Sequence, residues 1–386
     1  MKAFLLALLL LIALPVSANH LATRVAIDVN RAIETGENTP QQAIEILKNT
    51  PIKTPYERAI VNRVMGVFYY QIGDIRQAIS TLSDAADSGE LKKEQWRKVQ
   101  RTIADLLLST GQYAEALQRY YPLVSGDVSS IEVDEVWYRI GQSHYQLSEW
   151  DKSLNALARI QQEDKKQSKP VLSLKLGAQL ELKHWRQTIP LLDKLISVEP
   201  DNSVWWRHLT SVYQRLGKRK DLLKTLVLME RQGTVLSAQE WRVMSQLYAE
   251  NGLPDKAATA LKKLTNKQLI IRDIAARAVF LQEAKEWKKA IAQWKLAAEK
   301  DSQYYWPLAQ LQIQQTDYRS AINSLKKVEK PVRQGEIEMA MMMAYERLGE
   351  LDAAYQHASI AHDIAPSDQT AKWLTYLNRR RQTIQP

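Results

Sequence analysis

Apolar residues three and four positions apart recur along nearly the whole chain, in short runs separated by polar turns, and this is the spacing of one buried stripe on an α-helix. The clearest unit begins near Asp134. Trp137, Ile140, Gly141, His144 and Tyr145 mark one helix, and Trp150, Leu154 and Leu157 mark the next. A small or compact residue opens the second helix of each such unit at Ala43, Ala78, Ala116, Ser153, Thr188, Leu222, Ala257, Ala290, Ala321 and Ala354, with neighbours 31 to 38 residues apart. A constant period of this kind predicts helix pairs, each stacked on the pair before it. Gly141 falls where the partner helix must approach too closely for a side chain. The corresponding position is read as Gly66, Ala104, Gly177, Ser245, Ala278 and Ala309 in other units.

The turns between paired helices are predicted at Gly73, Gly111, Gly217, Gly252 and Gly349, where glycine supplies the left-handed conformation that ends a helix. A bulky residue follows most turns: Tyr113, Trp150, Trp185, Trp287 or Tyr318. These aromatics, with Trp137, Trp206 and Trp241, are most simply packing wedges between helices. The large-small-aromatic pattern resembles that of the tetratricopeptide (TPR) repeat family, and the likeness covers the chain after its leader. The resemblance implies an all-α, right-handed superhelical solenoid of about ten TPR-like helix pairs plus a C-terminal capping helix. Residues 19–56 read as a divergent capping repeat, since Asn30, Arg31 and Glu34 make its first helix polar; 57–366 read as the repeats, and 367–386 as the capping helix and tail. Longer connections are expected at 88–95 and 125–131, and Pro307 is expected to trim or kink the first helix of a shortened pair.

Composition changes the picture in three ways. The absence of cysteine from all 386 residues removes disulfides, thiol catalysis and a lipid-anchored cysteine together. Lys2, an apolar run to Leu14, and the small residues before Asn19 predict a secretory signal over 1–18, cut after Ala18, with an uncleaved N-terminal anchor as the alternative. The expected location is the periplasm, with no integral membrane segment once the signal is removed. Finally, Lys plus Arg match Asp plus Glu at 13 each over 19–130 but exceed them by 39 to 30 over 131–386. An exported basic chain points to acidic protein segments or an anionic surface, and not to nucleic acid. Arg379, Arg380 and Arg381 read as a solvated helix end favoured by the helix dipole.

The six histidines have no metal-ligand spacing, and the chain carries no phosphate-binding glycine loop, zinc-protease motif or nucleophile elbow. No metal, cofactor or enzymatic activity is expected. The stronger signal concerns binding: the fifth residue of the first helix in a TPR pair normally faces the groove, and here it is Arg63, Arg101, Arg207 and Arg242. Guanidinium groups on adjacent helices can hold carboxylates bidentately, with Tyr70, Tyr138, Tyr145 and Trp306 adding aromatic contacts. A solvated basic helix surface is the alternative reading. The stretch from Leu172 to Gly233, with LSLKLGAQLELKHWRQTIPLLDKLI, WWRHL and LVLMERQG, is similar to the periplasmic TPR proteins encoded beside TonB, ExbB and ExbD components in marine gamma-proteobacteria. That resemblance implies an accessory scaffold in TonB-dependent transport, with periplasmic regions of TonB or ExbD as partners. A chaperone or assembly scaffold for outer-membrane proteins or polysaccharide export is the other class, and a cell-wall glycan enzyme would need a catalytic constellation that the sequence does not display.

Overall fold

The computed structural model describes residues 21–125, 130–329 and 333–384; the expected signal over 1–18 and part of the 125–131 connection lie outside them. Among the described residues there are α-helices and two 3-10 turns and no strand. Ten helix pairs follow one another. They are α1 (Thr23–Gly36) with α2 (Pro40–Lys48), α3 (Pro55–Gln71) with α4 (Ile75–Asp87), α5 (Lys93–Ser109) with α6 (Tyr113–Tyr120), and α7 (Ser130–Gln146) with α8 (Trp150–Ala158). After the short helix α9 (Glu163–Lys166) come α10 (Lys169–Glu181) with α11 (Trp185–Val198), and α12 (Ser203–Arg215) with α13 (Arg219–Arg231). The array continues with α14 (Ala238–Glu250) and α15 (Pro254–Lys262), α16 (Ile271–Glu283) and α17 (Trp287–Ala298), α18 (Tyr305–Gln314) and α19 (Tyr318–Leu325), then α20 (Gln334–Leu348) and α21 (Leu351–Ile364). A single helix, α22 (Asp368–Ile384), ends it. The fold is an all-α solenoid of TPR-like pairs, and no described helix is long and apolar enough to cross a membrane. The chain divides into two compact units, Met1–His208 and Leu209–Pro386.

Each pair closes on the small residue that recurs in the sequence. All ten of these positions are buried, nine of them at 0 % exposure and Leu222 at 5 %. Twelve residues earlier, on the first helix, stands its partner: Gly66 opposite Ala78, Ala104 opposite Ala116, Gly141 opposite Ser153, Ala278 opposite Ala290 and Ala309 opposite Ala321. A Cβ on Gly141 would lie 2.8 Å from Leu157 Cδ2, and one on Gly66 would lie 2.6 Å from Leu82 Cγ. Gly177 is a correction to the sequence reading. Its missing Cβ faces the Tyr145 hydroxyl of the preceding pair, at 2.6 Å, and the residue twelve before Thr188 is the buried Leu176. Where the small residue is polar, its hydroxyl is used: Ser153 Oγ donates to Gly141 O and Ser245 Oγ to Ala257 O, each at 2.8 Å.

Nine of the ten pairs turn through one left-handed residue. Five are the expected glycines, with φ from 66° to 83°. The other four are Ser148, Lys183, Lys285 and Thr316, at φ 58° to 62°, and the sequence gives no sign of them. The turn geometry is therefore set by how the two helices must meet, and a side chain is forced into a conformation that disfavours it. Pro307 lies in the first turn of the ten-residue α18, where a missing N–H matters least, and α18 with the eight-residue α19 forms the shortened pair.

Adjacent pairs are joined by polar contacts that recur about one repeat apart. In the first unit, Arg119 holds Asp87 of the preceding pair at 2.6 and 2.9 Å, and the buried Asp134 fastens the connection that leaves its own pair, accepting from Gln161 N and Gln162 N at 2.8 Å each. In the second, Arg219 grips Glu250 through two bonds of 2.6 Å. The arginine run near the end is a correction too. Arg380 binds Glu346 at 2.7 Å and Arg381 binds Asp352 at 2.6 Å while lying over the Tyr355 ring, so these charges fasten α22 to α20 and α21. Leu377 completes that seam, fully buried beside Met342, Leu351, Ala354 and Ala358.

Gly141→Leu places a branched side chain into the contact with Leu157 and is expected to destabilise the first unit by about 1–3 kcal/mol, read by denaturation and by faster amide exchange in α7 and α8. Lys285→Gly relieves the left-handed strain between α16 and α17, offset in part by the freedom glycine gains on unfolding. The expected net gain is about 0.5–1 kcal/mol in denaturant unfolding, and no gain would mean that the turn is relaxed with lysine in place.

Candidate functional site

The four arginines at the expected groove position meet four different fates. Arg63, on α3, is 1 % exposed, and its Nε and Nη1 have no hydrogen-bond partner; burial pulls its pKa down. It is an interior residue and not a surface donor, which corrects the sequence reading. Arg242, on α14, is bound by Asp273 through Nε and Nη2 at 2.9 Å each, and it donates to Gln268 O at 2.7 Å. Its charge is matched inside the second unit, so it too is removed from the set available to a partner. Arg207, in the first unit, is exposed and donates to Ser203 Oγ at 3.1 Å. Of the expected pair Arg207 and Arg242, the second is thus held by a carboxylate of its own unit.

The aromatics divide in the same way. Tyr145 is used for packing: its ring meets Trp150 edge-on at 4.8 Å, and its hydroxyl fills the space beside Gly177. Tyr70 is half-buried at the end of α3. Trp306 is half-buried against the Ala309, Leu325, Ile337 and Met341 cluster of the second unit, with the Arg333 guanidinium 5.8 Å from its ring centre.

Arg101 on α5 and Arg139 on α7 are both brought near the Asp105 carboxyl, while Tyr138, beside Arg139, packs against the Leu157, Ile160 and Val171 cluster. Arg101 Nε lies 3.9 Å from Asp105 Oδ2 one turn along α5. On α7, Arg139 Nε lies 3.5 Å from Glu135 Oε1, and the Arg139 guanidinium lies 6.0 Å from the Tyr138 ring centre. Lys165, from α9, reaches Glu135 Oε2 at 3.4 Å. The buried Tyr120 donates to Asp105 Oδ1 at 2.5 Å, and Arg139, Arg101 and Glu135 all act on the Asp105 carboxyl through space. The result is a mixed-charge cluster of three cations and two carboxylates. Arg101 and Arg139 keep 38 % and 33 % of their side chains in solvent, whereas Asp105 keeps 13 %.

Burial dominates the chemistry of Asp105. It raises the carboxyl's pKa above the usual value despite the Tyr120 hydrogen bond and two nearby guanidinium groups, which act in the opposite direction. An ionised Asp105 thus costs the folded chain stability, while it holds Arg101 in place and offers a hydrogen-bond acceptor to an incoming group. The arrangement suits a ligand that presents both a carboxylate and amide groups, as a peptide does. Asp105, Tyr120, Glu135 and Arg139 were not picked out in the sequence. The available signal was the i, i+4 spacing of Arg101 with Asp105 and of Glu135 with Arg139 on successive first helices.

A second polar cluster lies on the other side of α7. Tyr121 Oη meets His144 Nε2 at 2.7 Å, His144 Nδ1 meets Glu149 Oε2 at 2.5 Å, and Lys152 Nζ donates to Glu149 Oε1 at 2.7 Å. Lys152 first, then His144, holds the Glu149 carboxyl below its usual pKa. This chain of contacts ties the 3-10 turn Tyr121–Val124 to α7 and α8. Among the described residues, no group of three or more His, Asp or Glu side chains could hold a metal ion.

No protein-family model matches this chain, and no curated protein matches it significantly in sequence. Among solved structures it is similar to a tetratricopeptide repeat protein from Parabacteroides merdae, with 16 % identity over 66 % of this chain and 99 % of that one and a TM-score of 0.39. It is also similar to YrrB, described as a TPR protein with an unusual peptide-binding site, with 14 % identity over 47 % of this chain and 89 % of that one and a TM-score of 0.39. A third similarity, to the APC/C hetero-tetramer Cut9–Hcn1, covers 94 % of this chain and 91 % of that one at 11 % identity and a TM-score of 0.27.

Asp105→Asn keeps an acceptor for the Tyr120 hydroxyl and removes the buried charge. Because the folded pKa of Asp105 is raised, the folded chain holds its proton more tightly than the unfolded chain. Its stability therefore falls as pH rises from the usual aspartate value through the raised one. The variant is expected to melt higher than the parent at neutral pH, with the difference vanishing below the usual aspartate pKa. An equal difference at pH 3 and pH 7 would exclude ionisation as its cause.

Proposed function

We propose that this chain is an exported protein–protein interaction scaffold, acting in the periplasm, which holds a peptide segment of its partner against the α5–α7 cluster of the first unit. One observation carries the reading. Arg101 and Arg139 project partly solvated guanidinium groups beside the buried Asp105 carboxylate, in a helical-repeat array whose other close cations are mostly matched within the protein. A partner carboxylate can take a bidentate hold on either guanidinium, and its backbone N–H groups can donate to Asp105 or Glu135. The leader-like residues 1–18 support export, and the basic balance of the later chain favours an acidic segment.

The partners to try first are the periplasmic regions of TonB and ExbD, on the strength of the resemblance carried by Leu172 to Gly233. In this reading the scaffold is an accessory of TonB-dependent energy transduction. A scaffold for outer-membrane protein assembly or polysaccharide export uses the same groove chemistry with a different occupant, and crosslinking in intact cells separates the two by the protein captured.

The paired substitution Arg101→Ala with Arg139→Ala is expected to weaken partner binding by about ten- to a hundredfold, since losing even one charge-assisted hydrogen bond costs about 1.5–3 kcal/mol. Helical content is expected to stay unchanged, and the salt dependence of binding to flatten. Unchanged affinity and salt dependence for the crosslinked partner would place its docking surface elsewhere.

A further inference from the structure

The 3-10 turn Tyr121–Val124 is clamped on both sides of its first residue. Tyr120 before it is fully buried, Leu123 after it is 2 % exposed, and Pro122 fixes the backbone between them. Arg97 Nη2, from α5, donates to Leu123 O at 2.5 Å and closes the clamp. Tyr121 itself stands out of it, 44 % exposed, with its ring edge-on to Trp137 at 6.4 Å. A rigid turn thus presents one phenol to solvent.

The hydrogen bonds behind that phenol have a direction. His144, on α7, is 4 % exposed and has both ring nitrogens engaged. Its Nδ1 faces Glu149 Oε2 at 2.5 Å, and because a carboxylate only accepts, the ring proton sits on Nδ1. Lys152, which donates to the other carboxylate oxygen, and then His144 hold the Glu149 carboxyl below its usual pKa, so it stays ionised. With the ring neutral, the lone pair of Nε2 points at Tyr121 Oη, 2.7 Å away, and the phenol donates along that line. Hydroxyl, imidazole and carboxylate therefore stand within hydrogen-bond reach of one another in the order that activates a hydroxyl for attack on an electrophile. Burial raises the phenol's pKa, with Lys152 opposing it and Glu149 adding to it. The hydroxyl is un-ionised at rest and needs a base as it reacts.

We propose that Tyr121 is a nucleophile that takes the acyl group of an activated ester, with His144 as its general base and Glu149 positioning that base. Oη attacks the ester carbonyl carbon while its proton passes to His144 Nε2. The bond from the carbonyl carbon to the leaving oxygen or sulfur then breaks, and the leaving group takes the proton back from Nε2. The products are O-acyl-Tyr121 and the free alcohol or thiol, with no change in oxidation state. Because O-acyl tyrosine is itself an aryl ester, the donor has to be of the activated kind, such as an aryl ester or thioester; amides and simple alkyl esters are too stable. The site lies across α7 from the Arg101 and Arg139 cluster, and it stands whether or not a peptide docks there.

The test treats the full-length chain with p-nitrophenyl acetate at neutral pH and follows acetylation of each tyrosine by mass spectrometry. Tyr376 is the internal reference, since it is 42 % exposed and its hydroxyl bonds to Glu346 and Arg380 with no histidine behind it. Tyr121 is expected to be acetylated at least about tenfold faster than Tyr376, as general-base assistance allows. Heavy water is expected to slow Tyr121 more than Tyr376, because a proton moves in the step. Glu149→Gln keeps an acceptor for Nδ1 but withdraws the charge that supports the imidazolium, and it is expected to slow Tyr121 by about tenfold or more while leaving Tyr376 unchanged. His144→Gln is expected to bring Tyr121 down to the rate of Tyr376. A structural role alone gives the opposite sign, since loosening the turn bares the phenol and speeds its labelling. Equal rates at Tyr121 and Tyr376 in the parent chain would overturn the proposal, as would an unchanged or faster Tyr121 in both variants.

Discussion

Two helices can be packed at backbone distance only where one of them presents almost no side chain, and this close approach is the constraint on which the protein depends. Gly66 against Leu82 and Gly141 against Leu157 leave no room for a methyl group. The small residues twelve positions further on are buried throughout. Once that seam is closed, the turn between the helices has little choice of conformation. Glycine accepts it readily, yet Ser148, Lys183, Lys285 and Thr316 accept it as well, because the packing of two helices outweighs the strain in one residue.

Since each pair exposes an apolar face that only its neighbour can cover, stability is passed along the array, and polar groups act as fasteners at the joints. The fasteners are ion pairs between residues about one repeat apart, such as Arg119 with Asp87 and Arg219 with Glu250, and carboxylates at the starts of first helices that accept from backbone N–H groups. Glu57 shows the pattern well: it accepts from Lys53 N, Thr54 N and Ala22 N, and these backbone bonds hold its carboxyl below the usual pKa. Such contacts use up most of the close-lying charge. The α5–α7 cluster stands out against that background for a mostly buried carboxylate kept at a cost in stability.

The periodicity of small and apolar residues was enough to define the helix pairs, their order and the terminal helix, because each is set by contacts within one repeat or between adjacent ones. Five of the nine left-handed turns were legible for the same reason: glycine is favoured there by local backbone sterics. Position within the repeat identified which residues start near the groove, but it could not say which of their charges would remain available. Arg63 and Arg242 occupy equivalent places in their helices, yet one is enclosed without a partner and the other is held by Asp273, 31 residues away. Gly177 was misassigned by one position because a glycine beside a leucine looks like the close-contact site in sequence, whereas the Tyr145 hydroxyl of the preceding pair is what requires it.

What the sequence by itself determined was the architecture, since a repeated helix pair is specified by local spacing and by the volume of a few side chains. The fate of each charge was decided only by tertiary structure. Burial of Asp105 behind Tyr120, the matching of Arg242 to Asp273, and the fastening of α22 by Arg380 and Arg381 all join residues from different helices. Desolvation and Coulomb interaction depend on distances through space, and a one-dimensional pattern does not carry those distances.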